Sequence, residues 1–582
     1  MFVDDLVKGF YEVILKNRVL ILVNYDVDAI CAVKILQSIL RFDNIIYVLV
    51  PVKTLTELKK AYEEQKVDVR HVVLINCGGT TDIIEELEPD EDIIFFIIDS
   101  HRPTDVCNIY SSSQVRILAP PEDDEKIPDF EDIFNENESS NEELDSDDVD
   151  DDDENDTVEE QQNKRRKLDQ NALVKRRERR SWEENRKKLL FDYTQFTYYG
   201  RSSAILMFDL SWKLHRESID LLWWGIVGVT EQYILGKTER MRYLKEVELI
   251  AGHIGRISET AGNNDDSETM SQTSLTKPSN TSIQLRIESE KDLLLALYRH
   301  WTIESSLRYS MFTAVSLKLW TIKGEKRLKQ ILAEMGLPLA ESRQMYHSMD
   351  LSLRKQFYSM MEKISNAHNL LQMTYPSFML HQGFKKRYQC ADYVYAMVAT
   401  LESNSRDKSS TECFYNTMDS LSRSKKDLLD QGIEKAKWIL TNMFRHVQAA
   451  LDMRQVISAG PFYYLIVQEG TLHSQHYSNP HCLIMLAAFA LRAQVASTRK
   501  TKATRLPLIA SATLDSDEET CLVVGIPPIT ETMPRSFFGK AFEQVANKTK
   551  MDISLDYFDS SIVKMQIKDR PKFFDALTAL LS

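Results

Sequence analysis

This chain of 582 residues has little of what marks secreted, membrane-embedded or nucleotide-hydrolysing proteins. Its seven cysteines, at 31, 77, 107, 390, 413, 482 and 521, are scattered and include no Cys-x-x-Cys pair. That scatter argues against a disulfide framework or a cysteine-rich zinc module, and predicts free thiols in a reducing compartment. No run of eighteen apolar residues occurs, so no transmembrane helix is predicted. The first residues, Met1-Phe-Val-Asp-Asp5, lack the basic start of a secretory signal. Glycine is sparse at 18 residues, and Gly78-Gly79 is the sole Gly-Gly. No Gly-x-x-x-x-Gly-Lys-Ser/Thr loop is present, which excludes a P-loop nucleotide hydrolase.

Charge is abundant and unevenly placed. The net charge is −15, yet residues 122–160 hold 22 Asp/Glu against one Lys, which leaves the rest of the chain at +6. Such an acidic run repels itself and predicts disorder. A mildly basic body suits a nucleic-acid backbone, and equally an ordinary solvated surface. Basic clusters follow at once: Lys164, Arg165, Arg166 and Lys167, then Lys175, Arg176 and Arg177, continuing to Arg180. Paired basic clusters in a linker predict a bipartite nuclear localisation signal and a place in the nucleus. The plainer reading is a basic helical face that pairs with the acidic run. Ser140, Ser146 and Thr157, with Ser516 further on, lie just ahead of acidic residues and are candidate phosphorylation sites.

A hydrophobic fraction of 43% is enough for large cores. Residues 1–120 alternate apolar strands (19–23, 45–50, 72–75, 93–98, 115–118) with amphipathic helices near 4–16, 28–41, 54–65 and 80–87. That alternation predicts a doubly wound parallel sheet. Tyr198 to Ala204 reads as a glycine turn entering a helix of small residues. Leu221 to Val229 is apolar all round and predicts a buried helix. Residues 256–283 read as a flexible loop, and 285–455 as almost wholly helical. Past residue 500 strands and helices alternate again.

Two acidic residues follow the first strand, in Asn24-Tyr25-Asp26-Val27-Asp28-Ala29. The C-terminal end of that strand is where an open α/β sheet places its ligand, and carboxylates there suit a hard divalent cation. Asp99 and His101 follow the strand at 93–98. In this order the motifs resemble the DHH phosphoesterase superfamily, above all its RecJ-like nucleases, whose carboxylates and histidines hold two metal ions. Three positions that the superfamily's pattern gives to ligands are neutral here: Asn76 and Val229 stand for aspartates, Ser100 for a histidine. An amide cannot replace an anion bridging two mutually repelling dications, serine is a poorer ligand than imidazole, and valine is none. The resemblance therefore implies a degenerate phosphoesterase, a pseudo-enzyme. Asp26, Asp28, Asp99 and His101 would line a vestigial metal crevice that requires no cofactor and leaves room for one weakly held Mg or Mn ion. The plainer reading is that Asp26 and Asp28 cap the following helix and Asp99 bonds loop amides.

A narrower resemblance rests on the runs 24–32 and 97–103, on Tyr198 to Ala204, on His300-Trp301, on the block from Leu319 to Asp350, and on Phe384 to Tyr388 with Asp392. Together they are similar to the cell division control protein 45 family of eukaryotic replication factors, relatives of RecJ. This resemblance implies a RecJ/DHH-like α/β domain (1–135, completed by helices at 181–235) interrupted by a disordered acidic-then-basic insertion (136–180). A mainly helical partner-binding domain (236–460) and a C-terminal DHHA1-like α/β domain (461–582) would follow. It further implies a non-catalytic scaffold subunit and activator of the replicative helicase. The partners would be the minichromosome maintenance hexamer, the GINS tetramer, other replication-initiation factors, DNA polymerase machinery and, weakly, single-stranded DNA. The alternative is a Mn-dependent single-strand exonuclease of the RecJ type, resting on the four remaining ligands.

Other candidates have plainer readings. Lys385, Lys386 and Arg387, between Phe384 and Tyr388, form a candidate DNA contact, or else a basic helix end. His473, His476 and His481 have a spacing that zinc can use, but read better as surface or cap histidines. Trp223, Trp224, Trp301 and Trp320 sit in apolar helical patterns and read as core rather than base-stacking platforms.

Overall fold

The computed structural model describes residues 1–111, 113–122, 125–134, 158–266, 285–368, 370, 372–383, 386–403, 409–471, 473–498, 501–529 and 534–582. They form two compact units, residues 1–120 with 197–582, and residues 121–196.

The first unit starts from Val19–Asn24 (β1), an aliphatic run buried on both faces, as a parallel strand requires. It pairs in parallel with Tyr47–Val52 (β2) on one side and His71–Ile75 (β3) on the other. Ile94–Ile98 (β4) and Val115–Ile117 (β5) extend the sheet, in the order β2-β1-β3-β4-β5. Parallel neighbours need crossovers, and Val27–Phe42 (α1) and Leu55–Gln65 supply the first two. The crossovers run to opposite sides between β1 and β3, so the loops after these strands diverge and open a crevice at their C-terminal ends.

The second unit corrects an expectation. Its main element is the 37-residue helix Val158–Thr194 (α2), which spans both basic clusters where 136–180 reads as disordered. The stretch contains no glycine or proline and is rich in Arg, Lys, Gln, Glu and Leu, all strong helix formers. Arg179 also bonds Glu183 one turn on, at 3.1 Å. Arg176 and Arg177 are exposed on it. Residues 181–194 belong to this helix rather than to the helical remainder of the α/β domain. Ser140, Ser146, Thr157 and Lys385 lie outside the described residues, as do the side chains of Lys164, Arg165, Arg166, Lys167, Lys175 and Lys386.

Back in the first unit, Ser203–Lys213 (α3) and Ile219–Ile234 (α4) pack on α1. Trp223, Trp224 and Trp320 are buried and Trp301 half-buried, so these rings serve the core. The next helix, Arg240–Asp266 (α5), continues through 256–266, where the sequence reads as a loop.

The middle of the chain is not wholly helical. Leu285–Leu293 (β6), Thr374–Gln382 (β7) and Lys386–Gln389 (β8) form an antiparallel sheet in the order β8-β7-β6. The signal in β6 is hidden because charged residues occupy most of its solvent side and only Ile287, Asp292 and Leu293 are buried. Arg387 is therefore an exposed residue of a strand, not of a helix end.

Two helices, Met311–Leu317 (α6) and Lys426–Asp452 (α7), lead toward the C-terminal sheet. That sheet holds Ile457–Ser458 (β9), Tyr463–Val467 (β10), Leu508–Asp515 (β11), Thr520–Ile526 (β12), Ile553–Ser554 (β13) and Ile562–Gln566 (β14), ordered β9-β10-β11-β12-β14-β13. β10 and β11 are parallel, and Pro480–Ser497 (α8) crosses between them. By length and composition α8 could cross a membrane, but Leu483, Leu486 and Phe489 bury its apolar side in the core. Alternation along the strands splits the packing. Leu508 and Ala510 join the main core, while Ile509, with Val523 and Val563, meets Phe538, Phe542 and Phe573 on the other face.

Candidate functional site: an acidic crevice held by hydrogen bonds

Asp26, Asp28, Asn76, Asp99, Ser100 and His101 are all buried at the C-terminal edge of the parallel sheet. Asp26 is the N-cap of α1 and accepts from Ala29 N at 2.6 Å. Asp28 does not cap that helix. Its Oδ2 accepts from Ser203 N at 2.9 Å and its Oδ1 from Ala204 N at 3.0 Å and from the Ser202 hydroxyl. It thus neutralises the N-terminus of α3, whose own N-cap Ser202 makes no capping bond. Sequence reading missed this, because the carboxylate comes from 174 residues earlier than Ser202.

Asn76 joins the two acids. It follows β3 with φ of +51°, in the left-handed region that asparagine tolerates better than most residues. Its Nδ2 donates to Asp26 Oδ1 at 3.2 Å and to Asp28 Oδ2 at 3.2 Å. Its Oδ1 accepts from Ser100 N at 3.1 Å and from the Ser203 hydroxyl. The amide is fully used, and it places two N–H groups between carboxylates that would otherwise repel each other.

Asp99 forms the next part of the wall. Its Oδ2 accepts from Gly79 N at 2.8 Å; a Cβ on Gly79 would come within 2.7 Å of that oxygen, so only glycine fits. Its Oδ1 accepts from His101 N at 2.8 Å and pairs with His101 Nδ1 at 2.7 Å. Burial pushes the Asp99 carboxyl up, but the imidazolium and the N–H donors outweigh it and hold the group below the usual aspartate range. His101 moves the opposite way: burial lowers it, and Asp99 raises it further.

Every carboxylate oxygen of Asp26, Asp28 and Asp99 therefore accepts at least one N–H or O–H bond. No three of Asp26, Asp28, Asp99 and His101 bring ligand atoms within 4.8 Å of one another. This donor set does not fit a divalent cation between Asp26 and Asp28, since the Asn76 amide donates into the lone pairs such an ion would need. Val229, at the remaining neutral position, is buried in the hydrophobic core.

Positive charge comes from a lysine that sequence reading passed over. Lys237, just past α4, donates to Glu231 Oε1 at 2.7 Å. Burial opposes its ammonium, yet Glu231, Asp26 and Asp28 outweigh burial and raise its pKa. Glu231 is fully buried and pushed up to about 7, first by burial and then by Asp26 and Asp28 against the pull of Lys237. A lone glutamate inside an otherwise apolar helix was the available signal. Asp26, His101 and Lys237 line a cavity of about 300 Å³, with Tyr199 and Asp559 joined across it by a 3.0 Å hydrogen bond. His481 lines the same cavity and bonds Tyr25 O at 2.8 Å, while His473 and His476 pack edge-on against Trp438.

Two outcomes test this geometry. A Cβ at Gly228, on α4, would lie 2.7 Å from Asp28 Oδ1 and 2.6 Å from Ala204 Cβ. Gly228→Ala should thus cost about 2 kcal/mol by forcing α3 and α4 apart, read as a lower urea midpoint; an unchanged midpoint would show that the helices can yield. The raised His101 pKa gives a pH dependence. Its contribution is complete below the unfolded value near 6.5 and is lost as pH rises through the higher folded value. Asp99, held low, contributes above about 3.8 and loses its share as pH falls through its lower folded value. His101→Gln should flatten the decline in stability on the alkaline side of neutrality. Urea curves at pH 6 and 9 that decline equally in both proteins would count against the pair.

The CDC45 family model matches residues 19–171 and 121–580. The Cell division control protein 45 homolog of Homo sapiens is 39% identical over 583 residues, covering 100% of both chains. Cell division control protein 45 of Saccharomyces cerevisiae is 24% identical, across 95% of this chain and 94% of its own. The crystal structure of CDC45 from Entamoeba histolytica shares the fold, with a TM-score of 0.68 at 22% identity over 100% of both chains. With a family model across nearly its whole length and a full-length relative at 39% identity, the chain belongs to the CDC45 family.

Proposed function

We propose that the chain is a non-catalytic scaffold subunit and activator of the eukaryotic replicative helicase. It bridges the minichromosome maintenance ring and the GINS tetramer during origin firing and fork unwinding, binds single-stranded DNA weakly, and works in the nucleus with initiation factors and polymerases. The observation that carries the non-catalytic part is the Asn76 amide, which donates to both Asp26 and Asp28. In that arrangement the acids are structural acceptors, and neither can hold a hydroxide-generating metal. Membership of the CDC45 family supports the replication role. The basic residues of α2, with Arg176 and Arg177 exposed, support nuclear import.

The test is reconstitution. Ring plus GINS should unwind a forked duplex many-fold faster when the chain is added, without added Mn²⁺. Equal unwinding with and without a chain that does bind the ring would contradict the reading.

A further inference from the structure

The same cavity has a second wall, which the crevice does not use. Met311 of α6, Leu440 and Met443 of α7, and Ile484 and Phe489 of α8 line it with apolar atoms. Arg492 of α8 stands among them. Its one hydrogen-bond contact among the described residues is to Met311 Sδ, at 3.9 Å, and none of those residues pairs a carboxylate with it. Burial pulls the pKa of its guanidinium down. Two other cationic groups on its wall do have carboxylate partners: Lys237 pairs with Glu231 and His101 with Asp99. Arg492 is half-buried, and a guanidinium partly withdrawn from water with no anion on it carries a desolvation cost; mixed apolar walls with one fixed polar group are the make-up of a small-molecule site.

We infer that this cavity binds an amphipathic anion, with a carboxylate or phosphate head on Arg492 and an apolar body along Met311, Met443 and Phe489. Arginine suits either head, because its fork presents two parallel N–H groups to two oxygens. The methionines adapt their shape to an unbranched or ring-bearing body. The volume of about 300 Å³ is at the small end for such pockets and sets the ligand's size. This inference does not rest on the helicase reading.

The full chain would be titrated by calorimetry with octanoate, octyl phosphate and neutral octanol. At least one anion should bind about tenfold tighter than octanol, as a charge-assisted hydrogen bond supplies. The preference between the two anions tells a carboxylate ligand from a phosphate ligand. Arg492→Met should erase the advantage of the anion. Without ligand, the same variant should melt no lower than the parent, since it removes an uncompensated charge from an apolar wall. Ala488→Trp, which fills the cavity and keeps Arg492, should abolish binding. Octanol binding as tightly as both anions, or an Arg492→Met protein that binds anions unchanged, would overturn the inference. So would an Arg492→Met protein that melts lower or fails to fold, because the arginine would then be structural.

Discussion

Asp28→Leu is expected to destabilise the protein by about 3 kcal/mol, a fall of roughly 3 °C in Tm for a unit of this size. Two effects oppose each other. The carboxylate is fully buried beside Asp26, and both facts push its pKa up, so the ionised group carries a cost of its own. Leucine removes that cost. It also strands four donors that now end on the carboxylate: Ser203 N, Ala204 N, the Ser202 hydroxyl and Asn76 Nδ2. A stranded buried donor costs about 1–3 kcal/mol, so four of them outweigh the relief. Asp28→Asn, which keeps one acceptor oxygen, should fall between. Thermal melts in the order parent, Asn, Leu would match this picture, and a leucine variant as stable as the parent would break it.

Asn76→Asp carries the second large effect and separates electrostatics from shape. Aspartate tolerates the left-handed backbone at this position nearly as well as asparagine. What changes is charge. Both N–H groups that join Asp26 to Asp28 are lost, and a third carboxylate arrives within hydrogen-bonding distance of the other two. The cost should be about 3–5 kcal/mol in EDTA, moderated because one of the three acids takes up a proton. Divalent cation should now help: the variant gains an acidic cluster where the parent has a donor. Millimolar Mn²⁺ should raise the variant's Tm by several degrees through linkage and leave the parent within about a degree. A parent that gains as much from Mn²⁺ as the variant would mean that the Asn76 amide gives way to metal after all.

These two residues also mark how far the sequence alone could be read. The strands of the parallel sheet emerge within about two residues of their expected limits, because each is an aliphatic run between turn signals. The ligand-like acids, and the neutral Asn76, Ser100 and Val229 among them, were visible as residues out of pattern. Their roles were not visible. Asp28 reaches the start of a helix 175 residues on, and a contact at that separation leaves no periodicity to follow. Asn76 reads in sequence as a missing ligand, whereas in the fold it is the donor that replaces one. Charge hid other elements. The solvent-side charges of β6 mask its strand pattern, and the net charge around α2 suggested disorder despite strong helix formers. Lys237, Tyr199 and Asp559 reach the crevice from three separate segments, and only packing brings them there.

The most direct measurement is cleavage of 5′-labelled single-stranded DNA by the purified chain in saturating Mn²⁺, beside its Asp26→Asn variant. A crevice occupied by the Asn76 amide predicts no products above background from either protein. Exonucleolytic products from the parent that disappear in Asp26→Asn would contradict it, and would return Asp26 to the role of metal ligand.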